Sequence, residues 1–283
     1  LVQPEVTGVN YSNGMLWITD LSKGRYLVQD VVTDKFLTQF ANTIANSANK
    51  HFSSADPVLE ADTRDLRISI LHPSIARTGM AISLRKSPPV LRHTEESLIA
   101  SGFCSREVLN LLINCVKAKL VIVFGGEPEA GKTELAKFMM QYIDPADRVI
   151  TIEDSLELHY GEINSGHDCL ELQIREGFDY KTAIKTSLRQ DPRWLMLSEA
   201  RSSEVVSLLE SWSTGIKGFT TIHLDDLRKL PDRVQNMMED KKDVERLENR
   251  IYSDVNVGVL IRMRTEADGS IRRYLDQLCF YTR

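Results

Sequence analysis

The 283 residues are 42% hydrophobic and 27% charged, a composition that excludes a wholly disordered chain and suits about two domains. Lysine and arginine number 35 against 40 aspartates and glutamates, a net charge of −5, which argues against a dedicated nucleic-acid surface and against sequence-specific nucleic-acid binding. No apolar run approaches the roughly 18 residues of a transmembrane segment.

The four cysteines, Cys104, Cys115, Cys169 and Cys279, are scattered without a CxxC pair. They suggest reduced thiols in a reducing compartment rather than a disulfide scaffold or zinc knuckle. His159-Tyr160 and His167-Asp168 beside Cys169 fit no standard zinc spacing. The chain begins with Leu1, and no basic segment followed by an apolar stretch marks a secretory leader.

In chain order, residues 1–86 read as a small α+β domain. VNYSNGMLWITD predicts a hairpin about Asn13-Gly14. Phe36, Leu37, Phe40, Ala41, Ile44 and Ala48 recur at helix spacing, and RISIL (67–71) and AISLRK (81–86) read as strands. Ser87-Pro88-Pro89 interrupts regular structure, so 87–97 reads as a linker.

From residue 98 to 283 helices alternate with short strands that are apolar on both faces: LVIVF (120–124), RVITIE (148–153), WLMLSE (194–199) and GFTTIH (218–223). That alternation predicts an α/β domain with a parallel sheet covered on both sides. VGVLIRMRT and SIRRYLDQLCFYT, about Asp268-Gly269, read as a terminal antiparallel hairpin.

Gly126-Glu127-Pro128-Glu129-Ala130-Gly131-Lys132-Thr133 fits G-x-x-x-x-G-K-[ST]. It follows a predicted strand and opens a helix carrying Leu135, Phe138, Met139 and Tyr142 at helix spacing, the context a phosphate-binding P-loop requires. The backbone N–H groups of Glu129, Ala130, Gly131, Lys132, Thr133 and Glu134 would wrap a β-phosphate, Lys132 would reach the β- and γ-phosphates, and the Thr133 hydroxyl would ligate Mg²⁺. A nucleotide and Mg²⁺ are therefore expected. Glu127 and Glu129 weaken phosphate binding unless their side chains face away.

Two further strand ends bear acids: Ser198-Glu199 closes WLMLSE, and Glu153, Asp154 and Glu157 follow RVITI. The carboxyl ends of parallel strands line the ligand crevice of an open α/β sheet.

The ordered set of P-loop, TIEDSLEL, SLRQDPRWLMLSEAR and STGIKGFTTIH resembles the traffic ATPases of type II and type IV secretion, conjugation and type IV pili. In that family these segments correspond to the Walker A loop, the Asp box, the Walker B segment and the His box. The match is firm over about 125–235. RISILHPSIARTGMAISLRK resembles the end of the N-terminal domain in the conjugation and type IV secretion branch. The resemblance implies a RecA-like P-loop NTPase domain preceded by a smaller α+β N-terminal domain.

It further implies that Glu157 is the general base, with Glu153 and Asp154 as competitors for that role. Glu199 would be the Walker B carboxylate, with Arg201 behind it, and His223 a sensor of the γ-phosphate, against the alternative of an ordinary core histidine. Arg67 and Arg85 would reach the phosphates from the N-terminal domain, against the alternative of ordinary surface arginines. Departures are Pro128, Glu129 and Ala130 inside the loop, Ser198 before Glu199, and Ile216 where the first His-box histidine belongs.

The missing tetracysteine insertion, the short N-terminal domain and the arginine placement favour the conjugation and type IV secretion branch, with a pilus retraction motor as the alternative. The resemblance implies a cytoplasmic homo-hexamer, peripheral to the inner face of the cell membrane, working with inner-membrane components and other ATPases of a secretion machine. A nucleotide-responsive scaffold with little hydrolysis is the rival. A P-loop small-molecule kinase is a third reading, for which the sequence offers neither lid nor acceptor site.

Overall fold

The computed structural model describes residues 3–238 and 244–281, which divide into two compact units. The first holds residues up to Pro88 together with 265–271, and the second holds 89–264 and 272 onward. The 87–97 stretch is thus shared between the units, and the tip of the C-terminal hairpin groups with the N-terminal residues.

In the first unit, β1 (Val6–Ser12), β2 (Met15–Asp20), β3 (Gly24–Val28), β4 (Val58–Asp62), β5 (Leu66–Leu71) and β6 (Ala81–Lys86) form an antiparallel sheet in the order β3-β2-β1-β6-β5-β4. The predicted hairpin forms: Asn13 and Gly14 take φ of 52° and 72°, the double left-handed turn whose twist matches its strands. Helix α1 (Asp34–Ser47) starts at Thr33, whose side chain accepts from the Phe36 N–H, satisfying one of the orphan donors of the first turn. Its Leu37, Ala41 and Ala45, at i, i+4 and i+8, pack on Leu59, Ile68, Ile70 and Ile82 of the sheet.

The second unit opens with α2 (Glu95–Ala100) and α3 (Arg106–Lys117). Then come β7 (Ile122–Gly126), α4 (Lys132–Met140), β8 (Val149–Glu153), α5 (Tyr160–Ile163), β9 (Cys169–Gln173), α6 (Tyr180–Ser187) and β10 (Trp194–Leu197). It closes with α7 (Glu204–Ser213), β11 (Phe219–His223), α8 (Leu230–Gln235), α9 (Val244–Asp254), β12 (Val257–Thr265) and β13 (Ile271–Phe280). The strand order is β13-β12-β7-β11-β10-β8-β9, with parallel pairing from β12 through β9.

Alternate residues of β7 explain why its run is apolar throughout. Ile122 and Phe124 enter a core with Leu112, Phe138 and Trp194. Val121, just before the strand, and Val123 enter another with Leu208 and Trp212. Helices therefore cover both faces, and the architecture is RecA-like. Phe219 lies edge-on to Phe124 and Trp194 at 5.6 and 5.3 Å, a geometry favoured by the ring quadrupoles.

Three expectations are corrected. The P-loop strand runs to Gly126 rather than ending at Phe124, because Gly125 and Gly126 still pair with Ile222 and His223 of β11. Helix α4 ends at Met140, so Tyr142 lies beyond it. VGVLI is more than one arm of a terminal hairpin: β12 lies parallel to β7, with Ile261 opposite Gly126, and β13 returns beside it at the edge. Its near-continuous apolar burial is that of an interior parallel strand. The edge strand β9 and the strands β3 and β4 carry charged or exposed residues that mask their periodicity.

Candidate nucleotide site

The carboxyl ends of β7, β8, β10 and β11 bring the chemistry-bearing residues of the second unit to one edge of the sheet. The P-loop leaves β7 at Gly126, where φ is 153° and a Cβ would sit 2.5 Å from the Ile261 carbonyl oxygen. Only glycine fits so close an approach to the neighbouring strand. Gly131 turns into α4 with φ of 97°. Ala130 is fully buried, whereas Glu127, Pro128 and Glu129 are exposed.

Lys132 is only 6% exposed. Its Nζ donates to the carbonyls of Gly126 (3.1 Å) and Glu127 (2.8 Å) and lies 3.3 Å from His223 Nδ1. The other ring nitrogen of His223, Nε2, lies 2.9 Å from Glu199 Oε1. A neutral imidazole with its proton on Nε2 satisfies both contacts, accepting from lysine and donating to the carboxylate. Burial and the Lys132 charge hold the His223 pKa below its ordinary range, consistent with that neutral form. Arg233 of α8 fixes the strand end by donating to the His223 carbonyl at 3.2 Å.

Glu199 Oε2 meets Arg201 Nη2 at 2.7 Å, and Arg201 Nη1 reaches Asp154 Oδ2 at 2.7 Å. Asp154, Arg201, Glu199, His223 and Lys132 thus form one polar chain from the end of β8 to the P-loop. Asp154 is engaged with the guanidinium and so differs from Glu157, whose Oε2 accepts from the Thr133 hydroxyl at 3.3 Å.

Glu153 is 0% exposed. Its carboxyl receives the backbone N–H groups of Glu157 and Leu158 at 3.1–3.4 Å. Burial pushes its pKa up to about 8 against the lowering effect of those donors. Glu153 therefore shapes the loop that carries Glu157.

Glu134 turns back along α4, with Oε2 3.7 Å from Arg92 Nε and Oε1 3.3 Å from the buried Lys137 Nζ. Its backbone N–H is left as one of the first-turn donors. Ile216 packs on the core around Leu208 and Trp212, an apolar site in place of a histidine.

Arg67 and Arg85 lie in the first unit, directly opposite one another on β5 and β6. Asp62 lies across from Arg67 on the other side. Sequence reasoning missed the structural role of Glu153, the Asp154–Arg201 pair, and Arg233. It also missed Arg273, whose Nε donates to the Glu129 carbonyl at 3.0 Å.

The residues fit nucleotide and Mg²⁺. A glycine-framed loop opens a helix, a lysine stands at its start, and one hydroxyl lies beside a carboxylate, a sparse oxygen set suited to an ion that keeps waters and takes phosphate oxygens.

Fold and site together define a P-loop NTPase of the RecA-like class. More specifically, the chain belongs to the type II/IV secretion system protein family, whose profile matches residues 54–265. It is 25% identical to an uncharacterized protein of Bacillus anthracis over 99% of this chain and 66% of that protein. It is 24% identical to a putative conjugal transfer protein of Mycobacterium tuberculosis over 78% of this chain and 65% of that protein. The chain thus spans just under two thirds of the length of these curated relatives. Among solved structures it resembles the VirB11 ATPase of the Brucella suis type IV secretion system, with TM-score 0.55 and 22% identity over 98% of this chain and 93% of that one. That last likeness is one of fold.

Proposed function

We propose that this chain is a hexameric ATPase that hydrolyses ATP to power type IV secretion or conjugation, through pilus assembly or substrate translocation. The observation that carries the reading is the hydrogen-bonded chain Lys132–His223–Glu199, which joins three of the family's motifs at one sheet edge. The relatives' names place conjugal transfer and secretion among the functions of similar proteins. No helix among the described residues is long and apolar enough to cross a membrane, and docking on the inner face of a membrane-embedded machine is part of the proposal.

Phosphoryl transfer is chiefly positioning and stabilisation of charge on the oxygens. The amides of 129–134 cradle the phosphates, and Lys132 exchanges its loop carbonyls for phosphate oxygens. The Thr133 hydroxyl would hold Mg²⁺, which would supply positive charge to the phosphate oxygens. Glu157, held in place by Glu153, orients the attacking water and takes up its proton. His223, linked to both Lys132 and Glu199, reports the state of the γ-phosphate to the strand end.

Arg67 and Arg85 supply positive charge from the N-terminal unit. The two arginines face each other across β5 and β6.

Glu157→Gln separates this ATPase from a nucleotide-responsive scaffold. Phosphate release should fall at least 100-fold while ATP still binds, with light scattering on the same sample showing a ring of about six protomers. Equal release by wild type and variant would reject Glu157 as the base, and the absence of release from both would favour the scaffold.

A further inference from the structure

The acidic P-loop poses a question that the nucleotide reading leaves open: what holds Glu129, a residue with a side chain, in a backbone conformation that favours glycine? Its φ is 64°, in the left-handed region where L residues are strained. The answer lies 144 positions away in sequence. Arg273, on β13, donates its Nε–H to the Glu129 carbonyl at 3.0 Å. Its Cδ also lies 3.5 Å from where a Cβ on Gly131 would stand, so its stem lies along the loop. Burial lowers the Arg273 pKa and the Glu129 carboxylate raises it. The guanidinium therefore braces the loop backbone.

We propose that Arg273 is a positioning residue for nucleotide binding, locking the 126–131 turn so that its amides face the phosphates. This rests on the nucleotide reading of the P-loop.

Hydrogen exchange on the full chain, paired with Mg·ADP and Mg·ATP titrations, tests this with Arg273→Met and Arg273→Gln. The Met variant removes donor and charge. Amides of 127–131 should exchange at least tenfold faster without nucleotide, and both dissociation constants should rise about tenfold, the scale of losing a hydrogen bond from a charged donor. Exchange within α3 should stay unchanged, showing that the fold is intact. Gln retains an N–H donor and should restore most of the loop protection while recovering only part of the affinity.

Wild-type loop exchange and affinity in the Met variant would overturn the proposal. If Met lowers protection throughout the protein, the Gln variant decides, and wild-type affinity in it together with loop exchange as fast as in Met would also overturn it. Should the wild-type protein bind neither nucleotide while Met still speeds exchange of 127–131 alone, the brace stands and the nucleotide reading falls.

Discussion

The Lys132 ammonium and the His223 Nδ1 lie 3.3 Å apart, so the first charge of α4 is in hydrogen-bond contact with the last residue of β11. This relationship makes the P-loop sensitive to the protonation of one imidazole. His223 is held below its ordinary pKa by burial and Lys132. A depressed pKa contributes stability above the unfolded value near 6.5, lost as pH falls through the folded value.

Wild-type protein should therefore lose more melting temperature between pH 7.5 and pH 5.5 than His223→Asn does. Thermal unfolding at the two pH values measures the difference. Equal losses would show that His223 does not titrate against Lys132.

Glu153 has the opposite sign. Its pKa is raised, to about 8, so its contribution is fully present below about 4.5 and is lost as pH rises through 8. Glu153→Gln, which keeps an acceptor for the Leu158 N–H, should melt closer to wild type at pH 6 and gain on it by pH 9. Glu153→Ala removes the acceptor of the buried Leu158 N–H and the half-buried Glu157 N–H and should cost about 1–3 kcal/mol in urea unfolding at pH 6.

Arg67 and Arg85 are tested by activity. Replacing Arg85 by Ser removes the positive charge directly opposite Arg67, and phosphate release should fall by at least tenfold. Unchanged release would leave the arginines as ordinary surface residues.

Gly126→Ala places a methyl group 2.5 Å from the Ile261 carbonyl oxygen. The expected result is loss of nucleotide binding with about 1–3 kcal/mol of destabilisation. Isothermal titration and urea unfolding on the same preparation measure both.

Local signals in the sequence carried much of the fold and part of the site. The Asn13-Gly14 turn, Leu37 and Ala41 of the α1 stripe and the glycines of the P-loop declare themselves within a few residues, because turns, helix faces and phosphate loops depend on near neighbours; Ala45 was not in the expected stripe, Phe36 is exposed and Ala48 caps the helix. The ordered motifs then supplied Glu157, Glu199 and His223 through resemblance.

What escaped was set by partners distant in the chain. Arg273 is one of two adjacent arginines in SIRRYLDQL, and nothing nearby marks it as the partner of Glu129. Glu153, Asp154 and Glu157 look interchangeable in TIEDSLEL, yet one is buried against backbone, one is paired with Arg201 and one meets Thr133. Only packing separates them. β12 was read as a hairpin arm because its turn is local, while its pairing with β7 spans more than a hundred residues.

Steady-state phosphate release with Mg·ATP, measured beside Lys132→Ala, tests the central claim most directly. The account predicts turnover in the wild-type protein that falls to background in the variant. Release that is equal in the two proteins, or absent from both, would contradict it.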